Sequence, residues 1–314
     1  MEYIRSKLVA TAFLVSAALA MNSCAYSPPQ PPVDQPVAVA VDAARVTVVD
    51  KGQGPHRVLT FADIGQKQQS HFSLTEGFSQ DVVQAQRAQE FQPNNLNKDT
   101  ISFDIAGEVD HASEDPAQAP ATRNVFMTVS NPEFSFAPAE TASGFQWGWR
   151  ATDNGKISSL RFAAPKEADD TSRSAIERAI APITNLPIIF PSEEIGQGAV
   201  WTVESKTAGD NSLLQKSTFT LEDLTEETAE LSVTVDQRPT LGALAFVDAN
   251  SNEQQLDVLS AESRTTAGTL TVDFAQPLPT SGTVEVSTRV MYGQADSSFQ
   301  VIQTTSSRIS FASK

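Results

Sequence analysis

Apolar and polar residues alternate over most of this chain, and a period of two predicts β-strands. The cleanest run is Val284, Val286, Thr288, Val290 and Tyr292, with Glu285, Ser287 and Arg289 on the other face. Ile101, Phe103, Ile105 and Val109 alternate with Ser102, Asp104 and Glu108 in the same way. Asp153-Asn154-Gly155 predicts a hairpin turn, since Asn-Gly tolerates positive φ at both central positions, and residues 157–162 form the returning strand. Similar short runs recur before residue 165 and again after residue 196, separated by Gly-, Pro- and Asn-bearing turns. Residues 81–90 read instead as a short helix, ended by Gln92-Pro93-Asn94-Asn95.

One stretch, residues 170–203, breaks the alternation. Ile176, Ala179, Ile180 and Ile183 fall at i, i+3, i+4 and i+7, one apolar stripe on a helix. Asp170, Thr171 and Ser172 supply candidate N-cap oxygens, and Pro182 should kink or stop the last turn. Pro187 and Pro191 then hold the chain extended. Gly196 and Gly198 precede a strand at Trp201; a phosphate loop needs Gly at that third position and a helix after it, so a nucleotide loop is rejected.

Strands joined by short turns, without alternating helices, exclude a parallel α/β sheet. One amphipathic helix is too little to cover two open sheet faces. The expectation is a mainly β fold: a curved antiparallel sheet, half-barrel or sandwich-like, with the helix at a seam between two β-rich halves. Four short matches run in the same order through both halves and raise a duplication into two similar β lobes. They are 71–76 with 218–223, 101–104 with 270–273, 144–146 with 298–300, and 157–162 with 309–311.

The N-terminus has a different grammar. Arg5 and Lys7 precede an apolar run over 8–20, the pattern of an export signal, too short for a stable transmembrane helix. Met21-Asn22-Ser23-Cys24 resembles a lipobox, in which Cys24 takes a diacylglycerol; Ala18-Leu19-Ala20 is the competing site for ordinary cleavage. Cys24 is the chain's single cysteine and is followed by the Pro-rich run 28–36. The expected division is therefore a signal peptide over 1–23, a lipid-anchored tether over 24–43, an N-terminal β-rich half over 44–165, helix and hinge over 166–195, and a C-terminal β-rich half over 196–314. Location follows: exported, held on the extracytoplasmic face of the cell membrane by two acyl chains.

Charge narrows the partners. A formal charge of -16 repels nucleic acid, so no nucleic-acid partner is expected. The chemistry is sparse. His56, His71 and His111 lack ligand spacing and the lone cysteine offers no thiolate set, so no metal and no cofactor are expected. Residues 248–252 open like a calcium loop, but Glu253 stands where Gly is needed and Leu259 where Glu is needed. Glu193-Glu194, Glu222-Asp223 and Glu226-Glu227 are carboxylate pairs of a kind that hydrolases use, and no spacing selects one. No nucleophile elbow is present. No catalytic residue is therefore assigned. The best binding candidates are Phe145, Trp147 and Trp149, at i, i+2 and i+4 on one strand face. They form either sheet core or the apolar wall of a cup that takes an acyl chain or stacks a sugar.

Leu186-Pro187, Glu194-Ile195-Gly196-Gln197-Gly198-Ala199-Val200-Trp201, the Gly148-Trp149 to Gly155-Lys156-Ile157 hairpin and the Gly268 to Gly282 run resemble a family of uncharacterised bacterial lipoproteins of high-GC Gram-positive type. The resemblance covers most of residues 55–311 and implies a surface location and a β-rich architecture. It carries no activity and no functional residue. The expected function is a non-enzymatic cell-envelope lipoprotein that binds an apolar or amphipathic component, lipid or glycan, or serves as a scaffold. A carboxylate-dependent cell-wall hydrolase or transferase and a surface adhesion module are the alternatives.

Overall fold

Every strand pairing in the computed structural model is antiparallel. The structure describes residues 31–93, 95–114, 118–207, 213–240, 243–247, 253–294 and 297–314. The export signal, Cys24 and the calcium-like stretch 248–252 lie outside them. In the first half the strands are β1 (Val37–Ala40), β2 (Arg45–Asp50), β3 (Gln53–Arg57), β4 (Lys67–Gln84), β5 (Asn97–His111), β6 (Arg123–Phe134), β7 (Gln146–Ala151) and β8 (Ile157–Ala163). Helix α1 (Asp170–Asn185) follows. The second half adds β9 (Ile195–Gln197), β10 (Val200–Lys206), β11 (Leu213–Leu224), β12 (Thr228–Pro239), β13 (Ala243–Val247), β14 (Glu253–Asp273), β15 (Ser281–Gly293) and β16 (Phe299–Ser313).

The fold is mainly β: one large curved antiparallel sheet, not closed into a barrel, with one α-helix among the described residues. Its strand order is β1-β8-β7-β6-β5-β4-β16-β15-β14-β12-β11-β10-β2. β4 to β8 step from the middle to one edge; β10 to β16 step from the other edge back to the middle. The halves fuse where β16 pairs β4, from Phe299↔Gln84 to Ser313↔Ser70. They are thus two meanders of one sheet. Of the matched segments, those at 144–146 and 157–162 open β7 and form β8, and both of their counterparts fall on β16.

The described part of the expected tether, residues 31–43, contains a strand. Val33 bridges Pro165, Asp34 N–H donates to Ala164 O at 2.8 Å, and β1 pairs β8 from Val37↔Phe162 to Ala40↔Ser159. An edge strand exposes a row of unpaired backbone groups, and Val-Ala-Val-Ala supplies a short extended partner despite the prolines before it. Five residues on, Arg45↔Glu204 begins the pairing of β2 with β10 at the opposite edge. This segment is a strap across both edges, and it proves the curl. Ala40 and Arg45 are at most about 18 Å apart along the chain. Adding one strand spacing at each end puts β8 and β10 within about 28 Å, whereas a flat sheet at about 4.8 Å per spacing would hold them about 48 Å apart.

Helix α1 packs in the concavity. Ile176, Ala179 and Ile180 are completely buried and Ile183 nearly so, as the stripe predicts. Its N-cap is Asp169, one residue before the predicted set: the carboxylate accepts from Ser172 N–H at 2.7 Å. Pro182 sits inside the last turn, and the helix runs on to Asn185. Beyond it, Phe190 meets Phe61, Trp201 and Phe274 at ring-centroid distances of 5.5, 6.1 and 5.7 Å, so the seam is the centre of the core. The Asn-Gly hairpin is tied to it: Phe190 N–H donates to Asn154 O and Asn154 Nδ2 donates to Phe190 O, both at 2.9 Å. Gly155 has φ +94°, and a Cβ there would stand 2.2 Å from Ile188 O, so only glycine fits.

The helix expected over 81–90 is a strand and a turn instead. β4 continues to Gln84 because β16 offers it a partner as far as Phe299, and a 3₁₀ turn, Ala85–Arg87, follows. Tertiary pairing overrides the local pattern. Ala88 then seats a small second cluster with Met291 and Ile302.

Candidate ligand-binding cavity

The side of α1 opposite its apolar stripe faces open space. Arg173, Ser174, Glu177, Arg178 and Ala181 form the floor of a cavity of about 1220 Å³. Part of its wall is apolar: Phe145, just before β7, with Leu160, Phe162, Val235, Val284 and Ile309 on the strands. The strap supplies one lip through Asp34, Gln35, Val37 and Val39, with Val37 and Val39 half-exposed or more. The volume exceeds the roughly 300–1,000 Å³ usual for small-molecule sites.

Charge at the mouth is internally paired. Glu76 and Asp99 are direct cross-strand partners on β4 and β5, an unfavourable juxtaposition relieved by Arg178, at 3.4 Å from Glu76 and 3.5 Å from Asp99. Burial raises the Glu76 carboxyl above its ordinary range; Arg178 opposes that and Asp99 adds to it. Arg173 pairs with Asp34 at 2.7 Å and donates to the carbonyls of Ala168 and Pro165 at 3.0 Å each.

Toward β11 and β12 the lining becomes polar and uncharged. Gln237 Nε2 donates to Gln215 Oε1 at 2.9 Å, and Thr288 Oγ1 donates to Gln237 Oε1 at 3.0 Å. Gln215 Nε2 donates to Asn185 O at 2.6 Å and to Ser217 Oγ at 3.2 Å. The row forms where β12 and β14 part. Their ladder ends at Ser232↔Thr269, and Thr265 Oγ1 and Ser263 Oγ then accept the backbone N–H of Val235 and Gln237. A second hollow of about 760 Å³ shares Gln215 and Gln237 with the first cavity.

The three aromatic candidates separate. All three lie in the core; Phe145, fully buried, also borders the large cavity. Trp147 and Trp149 do not; they are buried in the core, with ring centroids 5.4 Å apart, and Trp149 borders a hollow of only about 50 Å³. The carboxylates weighed for hydrolysis do not converge on the cavity. Glu193 is exposed and pairs with Lys51 at 2.8 Å, and Glu226 sits in an exposed turn. Among the described residues no group of three or more His, Cys, Asp or Glu is placed to hold a metal, and no helix is long and apolar enough to cross a membrane.

Gln215, Gln237, Glu76, Asp99 and Arg178 were not anticipated. A signal for two of them existed. Gln215 is in phase with Ser217, Phe219 and Leu221, and Gln237 with Leu231, Val233 and Val235, so each is a polar residue at an inward-facing strand position.

His71, at the opposite sheet face from Phe72, holds a different cluster. Asp104 accepts from Lys314 Nζ at 2.5 Å and from Asn131 Nδ2 at 2.7 Å, and lies 2.9 Å from His71 Nδ1. Burial pushes the Asp104 carboxyl up, and the three hydrogen bonds outweigh it and hold it down at about 2. A carboxylate depressed in the folded state stabilises above its ordinary value of 3.8, and the contribution is lost as pH falls through about 2. In urea titrations, wild type should therefore exceed Asp104→Asn at pH 6, and the gap should close between pH 4 and pH 2. A gap unchanged across that window would contradict the assignment.

Compared with protein-family models and with curated proteins, the chain matches none.

Proposed function

We propose that this chain is a non-enzymatic, lipid-anchored cell-envelope protein that binds an apolar or amphipathic envelope component inside its curved sheet. The cavity of about 1220 Å³, with an apolar stretch in its wall, is the observation that carries this reading. The N-terminus supports it: an export signal followed by Cys24 in a lipobox-like setting.

The test is direct. Protein purified from an exporting bacterial host is extracted with organic solvent and the extract is analysed by mass spectrometry, alongside saturable binding of a fluorescent acyl probe. An apolar species should be recovered, and the probe should bind. Val39→Arg places a charge on the cavity lip at a site 49 % exposed, so the fold should survive while probe affinity falls at least tenfold. A clean extract together with no saturable binding would refute the proposal. Intact mass should also show Cys24 carrying the diacylglycerol.

A further inference from the structure

We infer that the cavity selects an amphiphile whose head is uncharged and hydroxyl-bearing, a monoacylglycerol or glycolipid in chemical class, over a fatty-acid or phospholipid anion. This deepens the reading above and rests on it. Two observations carry it independently of the apolar wall.

The first is charge. Four carboxylates, Asp34, Glu76, Asp99 and Glu177, line the cavity against two guanidinium groups, Arg173 and Arg178. Both arginines are engaged: Arg173 by Asp34, Arg178 by Glu76 and Asp99. Glu177 has no ion-pair partner among the described residues. Among the described lining residues, an anionic head would therefore meet no available cation and an excess of carboxylate. It would have to break an existing pair to enter, which leaves a carboxylate unpaired.

The second is hydrogen-bonding capacity in the amide row. Both N–H groups of Gln215 are used, on Asn185 O and Ser217 Oγ. One N–H of Gln237 is used on Gln215 Oε1, which leaves one donor. Each amide oxygen accepts one bond in the row and has a second lone pair left. The row thus offers two acceptor positions and one donor. A hydroxyl both donates and accepts and fits that set. A carboxylate or phosphate diester only accepts, and finds a single donor. A quaternary ammonium satisfies the charge but donates nothing, so the second lone pair of each amide oxygen goes unmet.

The discriminating experiment compares three ligands of one chain length on the wild-type protein: monopalmitoylglycerol, palmitate and hexadecyltrimethylammonium, each displacing the same fluorescent acyl probe. The expected order places monopalmitoylglycerol at least tenfold tighter than either ion. Gln237→Leu should erase that preference by weakening monopalmitoylglycerol, and a circular-dichroism spectrum and urea midpoint matching the wild type report an intact fold. Equal or tighter binding of palmitate or of the ammonium would overturn the head-group inference and leave cavity binding standing. Binding of none of the three would take down both. Should the variant fail to fold, the wild-type ranking decides alone.

Discussion

Asp63→Ala should lower the unfolding free energy by about 3–5 kcal/mol, the cost of leaving a buried charge without its partner. Arg123 Nε donates to Asp63 Oδ1 at 2.7 Å, and Nη2 donates to Oδ2 in a second, parallel bond. Asp63 is wholly buried and Arg123 is 1 % exposed. The guanidinium lies 4.2 Å from the Phe61 ring centroid, so one face is apolar and offers no substitute acceptor. Removing the carboxylate strands the cation there. The double variant Asp63→Ala/Arg123→Leu should recover most of the loss, since the charge is gone and the space refilled. Urea midpoints of the wild type, both single variants and the double variant close the cycle. A single-variant loss under 1 kcal/mol, or a double variant as weak as either single, would show that the pair is not the fastener described here.

The pair also explains how an irregular loop is held. Residues 58–66 join β3 to β4 without strand structure, yet Leu59 and Asp63 are buried. Phe61 N–H donates to Asp153 O at 2.8 Å, Ala62 N–H to Phe274 O at 2.7 Å and Gly65 N–H to Val109 O at 2.7 Å. The loop thus satisfies its backbone on three different parts of the sheet. The ion pair fixes it laterally.

Where a single element contains its own signal, the sequence revealed it. The Ile176 to Ile183 stripe and the alternation on β5 and β15 are local, and each stands where its pattern places it; the hairpin turn also stands at Asn154-Gly155, with positive φ at Gly155 and not at Asn154. What failed to show was pairing between distant residues. Asp63 and Arg123 are separated by 60 positions with no periodicity between them. The β4/β16 joint brings residue 70 to residue 313. A Pro-rich composition argues for a spacer, and nothing in Val37–Ala40 announces that β8 has an edge to fill. For the cavity, the apolar wall was half legible. The alternation puts Phe145 and Trp147 on one strand face, yet Phe145 stands just before β7 and is the one that borders the cavity. The charge pairing at the mouth depends on α1 crossing β4 and β5, which the helix pattern alone does not orient.

Trp201→Ala should cost about 3–5 kcal/mol, as large-to-small changes in a packed core do. The indole is completely buried at the start of β10, stacked on Phe219 at 5.5 Å with 15° between planes, and tilted against Phe190. It also crosses the seam, because Nε1 donates to Ile189 O at 2.9 Å. The two contributions separate by substitution. Trp201→Phe keeps most of the packing and leaves the Ile189 carbonyl unpaired, so it should cost about 1–3 kcal/mol. A chain of this size loses roughly 1.5–2 °C of melting temperature per kcal/mol, so thermal scans should rank wild type, Phe and Ala in that order. Trp201 borders none of the hollows described above, so probe affinity of the folded fraction should be unchanged in both variants, in contrast to Val39→Arg. If Trp201→Phe proved as damaging as Trp201→Ala, the hydrogen bond and not the ring stack would be what joins the hinge to the second meander. If either variant lost probe binding while fully folded, the core at the seam and the cavity would have to be one mechanical unit.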